Sequence, residues 1–333
     1  MKYGGGWVMV RLRNFFVVIL SFCLIFSLTA CENNTFSKLK EKFSSIFSKE
    51  IISFPVKQGE GWGYIDRTGK FVITPQFEGA GRFSDGFAAV KIGGRWGFID
   101  KTGEYVINPQ FDVAFLFHDG LASVGLGGGK VKVGFIDKNG KYVINPQFDD
   151  AGWFSEGLTA VGKINDNKVK AKVGFIDRSG KYIIKPQFDD AGWFSEGLAS
   201  VKSGGKYGYI DKTGRYVIEP QYDLAFWFSE GLATVKIGNK YGFINKKGEF
   251  VIEPQFDFAF WFSEGLASVK SKGKYGFIDK TGRYVIDPQF DVAFWYENGL
   301  APVGVGRGKV KVGFINKTGK YEINPQYDDI NVF

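Results

Sequence analysis

The sequence predicts an all-β protein of eight tandem β-meander repeats, and three observations predict it. A Gly that opens a Gly-aromatic-Ile-Asp/Asn segment recurs at Gly63, Gly97, Gly134, Gly174, Gly208, Gly242, Gly276 and Gly313, at spacings of 34, 37, 40, 34, 34, 34 and 37 residues. A Pro-Gln pair keeps step with it from Pro75-Gln76 to Pro325-Gln326 and takes eight of the ten prolines. The composition is that of strands and tight turns, with 46 Gly and 35 Phe in 333 residues and aromatics at 17%. At 44% hydrophobic and 23% charged, the chain can bury a core.

Within one unit the residues read as a meander. Leu198 to Lys202 is a first strand, followed by a turn at Gly204-Gly205 and a second strand, Tyr207 to Asp211. Lys212-Thr213-Gly214 closes a hairpin, with Gly214 free to take φ > 0 in a type I turn plus bulge. Arg215 to Ile218 is the third strand. Pro220 has no N–H to donate, so an edge strand or loop is expected after it. Asp223, Ala225 and Phe228 lead through Ser229-Glu230-Gly231 into the next copy. The units run over about 52–85, 86–119, 120–156, 157–196, 197–230, 231–264, 265–298 and 299–333. Insertions lengthen one hairpin in three copies, at Gly125 to Val133, Gly162 to Val173 and Gly304 to Val312, and these hairpins are expected to project. A unit of 34 residues cannot bury both faces of its sheet alone, so neighbours must stack. Radial stacking into a propeller-like ring is the expected arrangement; the alternative is linear stacking into an open, curved array.

The first 30 residues have the features of a targeting signal. Arg11 and Arg13 precede an uncharged apolar stretch from Phe15 to Leu28, and Met9 is an alternative start to Met1. The stretch ends at Leu28-Thr29-Ala30-Cys31, which resembles a bacterial lipoprotein box, with cleavage before Cys31 and lipidation of its thiol. That resemblance implies an exported protein held at a membrane by its N-terminal lipid, in the outer membrane where the host has one. Residues 31–50 form a tether in which Phe36, Leu39, Phe43, Ile46 and Phe47 fall at helical spacing among lysines. The remainder, 51–333, is the repeat domain. Cys23 lies in the signal, so no disulfide is expected. Loss of the signal leaves a net charge of +5, which favours anionic envelope surfaces, and the exported compartment makes nucleic acid an unexpected partner.

The whole unit resembles the bacterial WG-repeat (KWG) family. The resemblance rests on the Asp/Asn-x-x-Gly turn, the Pro-Gln-aromatic-Asp step and the Glu-Gly-Leu-Ala entry. The literal Trp-Gly stands only at Trp62-Gly63 and Trp96-Gly97; Tyr207, Tyr241 and Tyr275 replace the Trp in three copies, and Val133, Val173 and Val312 in the three lengthened ones. The resemblance implies a β-repeat module with no shared catalytic activity.

Candidate sites follow from what recurs and what varies. The Asp-Lys-Thr-Gly segments at Asp100, Asp211 and Asp279 read as turn formers. Asp112, Asp149, Asp189, Asp223, Asp257, Asp291 and Asp328 recur singly, which suits turn capping better than the converging oxygens calcium needs. His118 is the one His, so Ser-His-Asp or Cys-His chemistry has no constellation. Paired carboxylates could serve a propeller-type glycoside hydrolase, but uniform repetition argues against catalysis. No enzyme, cofactor or metal is expected. Trp153, Trp193, Trp227, Trp261 and Trp295 each precede an aromatic, one of each pair turning to the core and the other outward. They either pack between units or stand as an exposed row suited to sugar rings or apolar side chains. The residue before the proline becomes Glu219, Glu253 and Asp287 in three successive copies, an acidic strip. The expected function is a lipid-anchored protein-binding scaffold of the envelope; the alternative is glycan or peptidoglycan binding through the Trp row.

Overall fold

The structure, a computed structural model, describes residues 54–128, 130–163, 172–306 and 310–331. The expected signal segment, Cys31, the expected tether and residues 129, 164–171 and 307–309 of the three lengthened hairpins lie outside the described residues. The repeat domain is an eight-bladed β-propeller, each blade a four-stranded antiparallel sheet. Blades are numbered in the order of the recurring Gly. In blade 5, Asp190–Ser195, Leu198–Ser203, Lys206–Ile210 and Tyr216–Tyr222 pair in that order from the axis outward.

Two expectations change on folding. The Asp-Ala-Gly-Trp-Phe-Ser segment, read as a lead into the next copy, is the innermost strand of its own blade. The outermost strand does not stop before proline but runs through Pro220 to Tyr222. Tyr209 faces Ile218 and Tyr207 faces Tyr222, so the residues around Pro220 bulge out of the ladder on the sheet edge, where no N–H is needed. The recurring Gly lies beneath that bulge. A Cβ on Gly208 would sit 2.4 Å from the Ile218 carbonyl oxygen and 2.7 Å from Pro220 N. Gly is therefore required by close approach of two backbones, not by its φ.

Blade 1 is made from both ends of the domain. Phe54–Gln58, Gly61–Ile65 and Phe71–Phe77 are joined by Asp329–Ile330, with Val56 opposite Ile330 and Lys57 opposite Asp329. The ring is closed, which excludes the open array.

The core lies between blades. Every cluster of buried side chains draws on two neighbours; one joins Leu198, Tyr209, Ile218 and Tyr222 of blade 5 to Ala225, Phe228, Ala233, Val235 and Ile244 of blade 6. Each buried Phe or Ile contributes about 1.5–3 kcal/mol. The outer turn of blade 6 seals this core from the side, since the Cβ of a residue at Gly248 would lie 3.3 Å from Ile218 of blade 5.

Polar clamps repeat around the ring. Ser155, Ser195, Ser229 and Ser263 donate from Oγ to the carbonyls of Phe194, Phe228, Phe262 and Tyr296 in the following blade, at 2.6–2.7 Å. The next residue and its Gly form a two-residue hairpin turn with both φ positive, as at Glu230 (53°) and Gly231 (85°). A left-handed Glu costs about 1–2 kcal/mol. Its carboxylate offsets that by accepting the N–H of the next blade's turn: Glu196 binds Gly231 N at 3.0 Å and Glu230 binds Gly265 N. Lys246 and Lys280, from outer turns, close on the same carboxylates at 3.0 and 3.1 Å.

The recurrent aspartates do the work of turns. Asp211 Oδ1 accepts Thr213 N, Thr213 Oγ1 and Arg215 N, and Asn245 makes the matching backbone bonds in blade 6. Asp223 pairs with Lys206 and caps Gly238 N at 2.7 Å. The Thr213 hydroxyl bond holds the Asp211 carboxyl below the ordinary range, and the Lys206 hydrogen bond does so for Asp223.

Two outcomes follow. Gly242→Ala would press a Cβ to 2.6 Å from Ile252 O and should cost roughly 1–3 kcal/mol, read as a lower Tm of the full chain by circular dichroism. Depressed carboxyl pKa values stabilise the folded state above the ordinary range and are lost as pH falls through the depressed one. The Tm should therefore hold from pH 7 to about 5 and drop below about pH 4, and Asp211→Asn should leave it nearly unchanged at neutral pH, since Asn245 already serves there.

Candidate binding site in the central channel

Innermost strands place one residue of each blade toward the axis and its neighbour into the core. Phe154, Phe194, Phe228 and Phe262 are fully buried between blades, while the Trp before each turns to the channel. The five tryptophans of blades 4 to 8 stack on one another. Ring centroids lie 4.1, 4.1, 4.0 and 4.2 Å apart along the series Trp153, Trp193, Trp227, Trp261 and Trp295, with planes tilted by 36–46°. Trp261 and Trp295 retain only 8% and 6% exposure, and the other three are half-buried. Of the two readings, packing between units and an exposed row, the structure shows the first, as a staircase within the channel. Short, regular spacing between innermost strands brings the indoles together, and their faces are covered by each other.

The staircase is incomplete. Blades 2 and 3 carry Arg82 and Leu116 in place of Trp. A cavity of about 340 Å³ on the axis is bounded by Arg82 and His118 on one side, by the tryptophans, and by Glu297. His118 Nδ1 lies 3.7 Å from Asp119 Oδ1.

One residue earlier on the same strands the asymmetry is greater. Phe226, Phe260 and Phe294 fill this level in blades 6 to 8, whereas blades 2, 4 and 5 have Gly81, Gly152 and Gly192. Phe115 of blade 3 stands between them with 43% exposure. A cavity of about 270 Å³ lies on one side of it, beside Gly81, Trp96 and Leu116. Another of about 240 Å³ lies on the other, over Gly152 and Gly192. Trp153 lines all three spaces.

Glu219, Glu253 and Asp287 are exposed on the outermost strands of blades 5, 6 and 7, remote from the channel. The fold therefore gathers the predicted tryptophans and leaves the predicted acids on a different surface. Asp112, Asp149, Asp189, Asp223, Asp257, Asp291 and Asp328 each pair with a Lys or Arg of the preceding blade rather than with one another. Among the described residues, no three His, Cys, Asp or Glu side chains are gathered as a metal would require. Phe115, Gly152, Gly192 and Asp150 were not singled out by sequence reasoning. Their signal is a departure from the repeat at the position before the Trp or two before that, visible only when copies are aligned on the innermost strand.

Solved structures share the fold of this chain. Citrobacter koseri AztD superposes with a TM-score of 0.50 at 11% identity, over 84% of this chain and 96% of its own. The dihydro-heme d1 dehydrogenase NirN gives 0.55 at 12%, over 84% and 74%, and oligopeptidase B from Trypanosoma brucei 0.51 at 10%, over 89% and 52%. At these identities the likeness is one of fold alone. No curated protein matches the chain. The WG containing repeat matches at residues 62–96, 96–129, 134–167, 174–207, 207–241, 241–275, 275–308 and 313–333. Those matches span most of the propeller, and the chain belongs to the WG containing repeat family.

Proposed function

We propose that this chain is a non-catalytic, lipid-anchored protein of the bacterial cell envelope that serves as a protein-binding scaffold. The observation that carries the reading is the outer wall of blades 5 to 7. Val217, Val251 and Val285 are 48, 45 and 49% exposed, and two residues on from each stands an exposed acid, Glu219, Glu253 or Asp287. With the intervening Ile buried, valine and acid share one face of each strand. Three successive strands thus offer apolar groups beside carboxylates, a surface suited to a partner with an apolar centre and a basic rim. Pro220, Pro254 and Pro288 interrupt the free edges, so recognition falls to side chains and not to an added strand. The recurrent carboxylates are occupied by turns and neighbouring blades, which speaks for binding over catalysis. Self-stacking of the tryptophans speaks for a protein partner over a glycan.

Localisation rests on the Leu28-Thr29-Ala30-Cys31 box. Two or three acyl chains, at about 0.8 kcal/mol per buried methylene, would hold the propeller permanently at a membrane.

A photo-crosslinking residue at Val251, in cells exporting the full chain, should yield discrete protein adducts that vanish in the Glu219→Lys/Glu253→Lys/Asp287→Lys variant. Adducts unchanged by the charge reversal would refute the reading. Metabolic labelling with an alkynyl fatty acid should tag the wild type and not Cys31→Ala, and the variant should leave the membrane fraction; an unlabelled wild type would remove the anchor.

A further inference from the structure

We propose that the cleft between blades 4 and 5, opening into the channel beside Phe115, binds an aromatic ring that carries a primary ammonium group. The propeller supplies its own reference for this site. At the corresponding interface of blades 6 and 7, Leu224, Phe226, Tyr241 and Phe258 pack against the shared core. Tyr241 and Phe258 lie 5.1 Å apart, and Phe258 and Phe260 lie 4.9 Å apart. At the interface of blades 4 and 5 the core beneath carries the same residue types at Leu158, Phe175, Ile184, Phe188, Phe194, Ala199, Val201 and Ile210. The layer above is missing. Asp150 stands for Leu224, Gly152 for Phe226, Val173 for Tyr241, Asp190 for Phe258 and Gly192 for Phe260.

Those five positions line the cavity of about 240 Å³, with Phe115, Trp153 and Trp193 at its channel side. An apolar cavity of roughly 150 Å³ already accommodates benzene. The space vacated by benzyl groups therefore has the size and apolar floor for a ring. Its charge is equally specific. Both substitutions at the mouth are carboxylates, and no Lys or Arg lines the cavity among the described residues. Asp150 is exposed and makes no side-chain hydrogen bond or ion pair among the described residues, while Asp190 accepts Tyr207 OH at 2.7 Å and Ala191 N at 3.0 Å. A carboxylate has about four lone-pair sites, so both can still accept from an ammonium group. Phe115 offers its ring to the same cation. This site is distinct from the outer wall of blades 5 to 7, and its test does not involve that wall.

The test is titration of the full chain in detergent micelles with 2-phenylethylamine, followed by tryptophan emission, since Trp153 and Trp193 flank the cleft. Saturable binding is expected, at least tenfold tighter than that of phenylacetate, and Asp150→Asn should weaken it roughly tenfold. Gly152→Phe restores the ring that blade 6 carries. A Cβ there meets only Thr159 Oγ1 at 3.6 Å and Ala160 O at 3.9 Å, so the variant should keep or raise the Tm while abolishing binding. Val173→Tyr restores the ring of Tyr241 and should also abolish it, so the result does not hang on one variant folding. No saturation in the wild type, equal affinity for phenylacetate, undiminished binding in Asp150→Asn, or full binding in a folded Gly152→Phe or Val173→Tyr chain would overturn the assignment.

Discussion

A four-stranded sheet of some thirty residues has two apolar faces and no layer of its own to cover them, and the rest of this molecule follows from that constraint. Each blade buries its faces on the blades before and after it, so the interior is a ring of eight interfaces, not eight cores. Closure is what gives the first and last blades the cover that every other blade has. It is made by two residues, Val56 and Lys57, pairing with Ile330 and Asp329. Asp328 strengthens the seam through the same bonds its counterparts make, accepting Gly59 N and pairing with Lys311.

Because the interface repeats, the residues that define the unit are those that make it. The recurring Gly admits the bulged outer strand, the Asp turn seals the core of the preceding blade, and the Ser-Glu-Gly turn bolts each innermost hairpin to the next. The Glu of that turn is a costly choice for a left-handed position, where Asn is preferred. Its place is explained by its reach: it caps the following Gly. In blade 8 the residue is Asn298, with φ 56°, and the blade that follows joins two distant stretches of chain at that level instead of a hairpin turn. Where no neighbouring turn needs a carboxylate, the residue is the one that fits the backbone best.

Repetition also makes departures informative. A side chain common to all copies is accounted for by the interface, so recognition is to be sought where one copy differs. The channel shows two such departures. Arg82 and Leu116 interrupt the tryptophan staircase, and Gly152 and Gly192 with Asp150 and Asp190 empty a layer that Phe and Leu fill elsewhere. Rigid neighbours on both sides keep that space from collapsing, which is the condition for a preformed site.

The family, three of the four strands of each unit, the Asp-x-x-Gly turns and the opposite facing of each Trp-Phe pair were legible in the sequence, because turn chemistry and period-two alternation act over a few residues. Local pattern also showed that Pro220 belongs at an edge. The repeat pattern favoured a ring over an open array, but the strand that closes it was not legible, since a two-residue strand has no pattern and its partner lies over 270 residues away. Nor was the fate of the tryptophans: whether an outward-facing indole meets solvent or another indole depends on the separation of neighbouring innermost strands, which exists only once the ring has formed. The same holds for Asp150, Gly152 and Asp190. Each is an ordinary strand or turn residue by itself, and they become one cleft only because closure of the propeller sets blade 4 against blade 5.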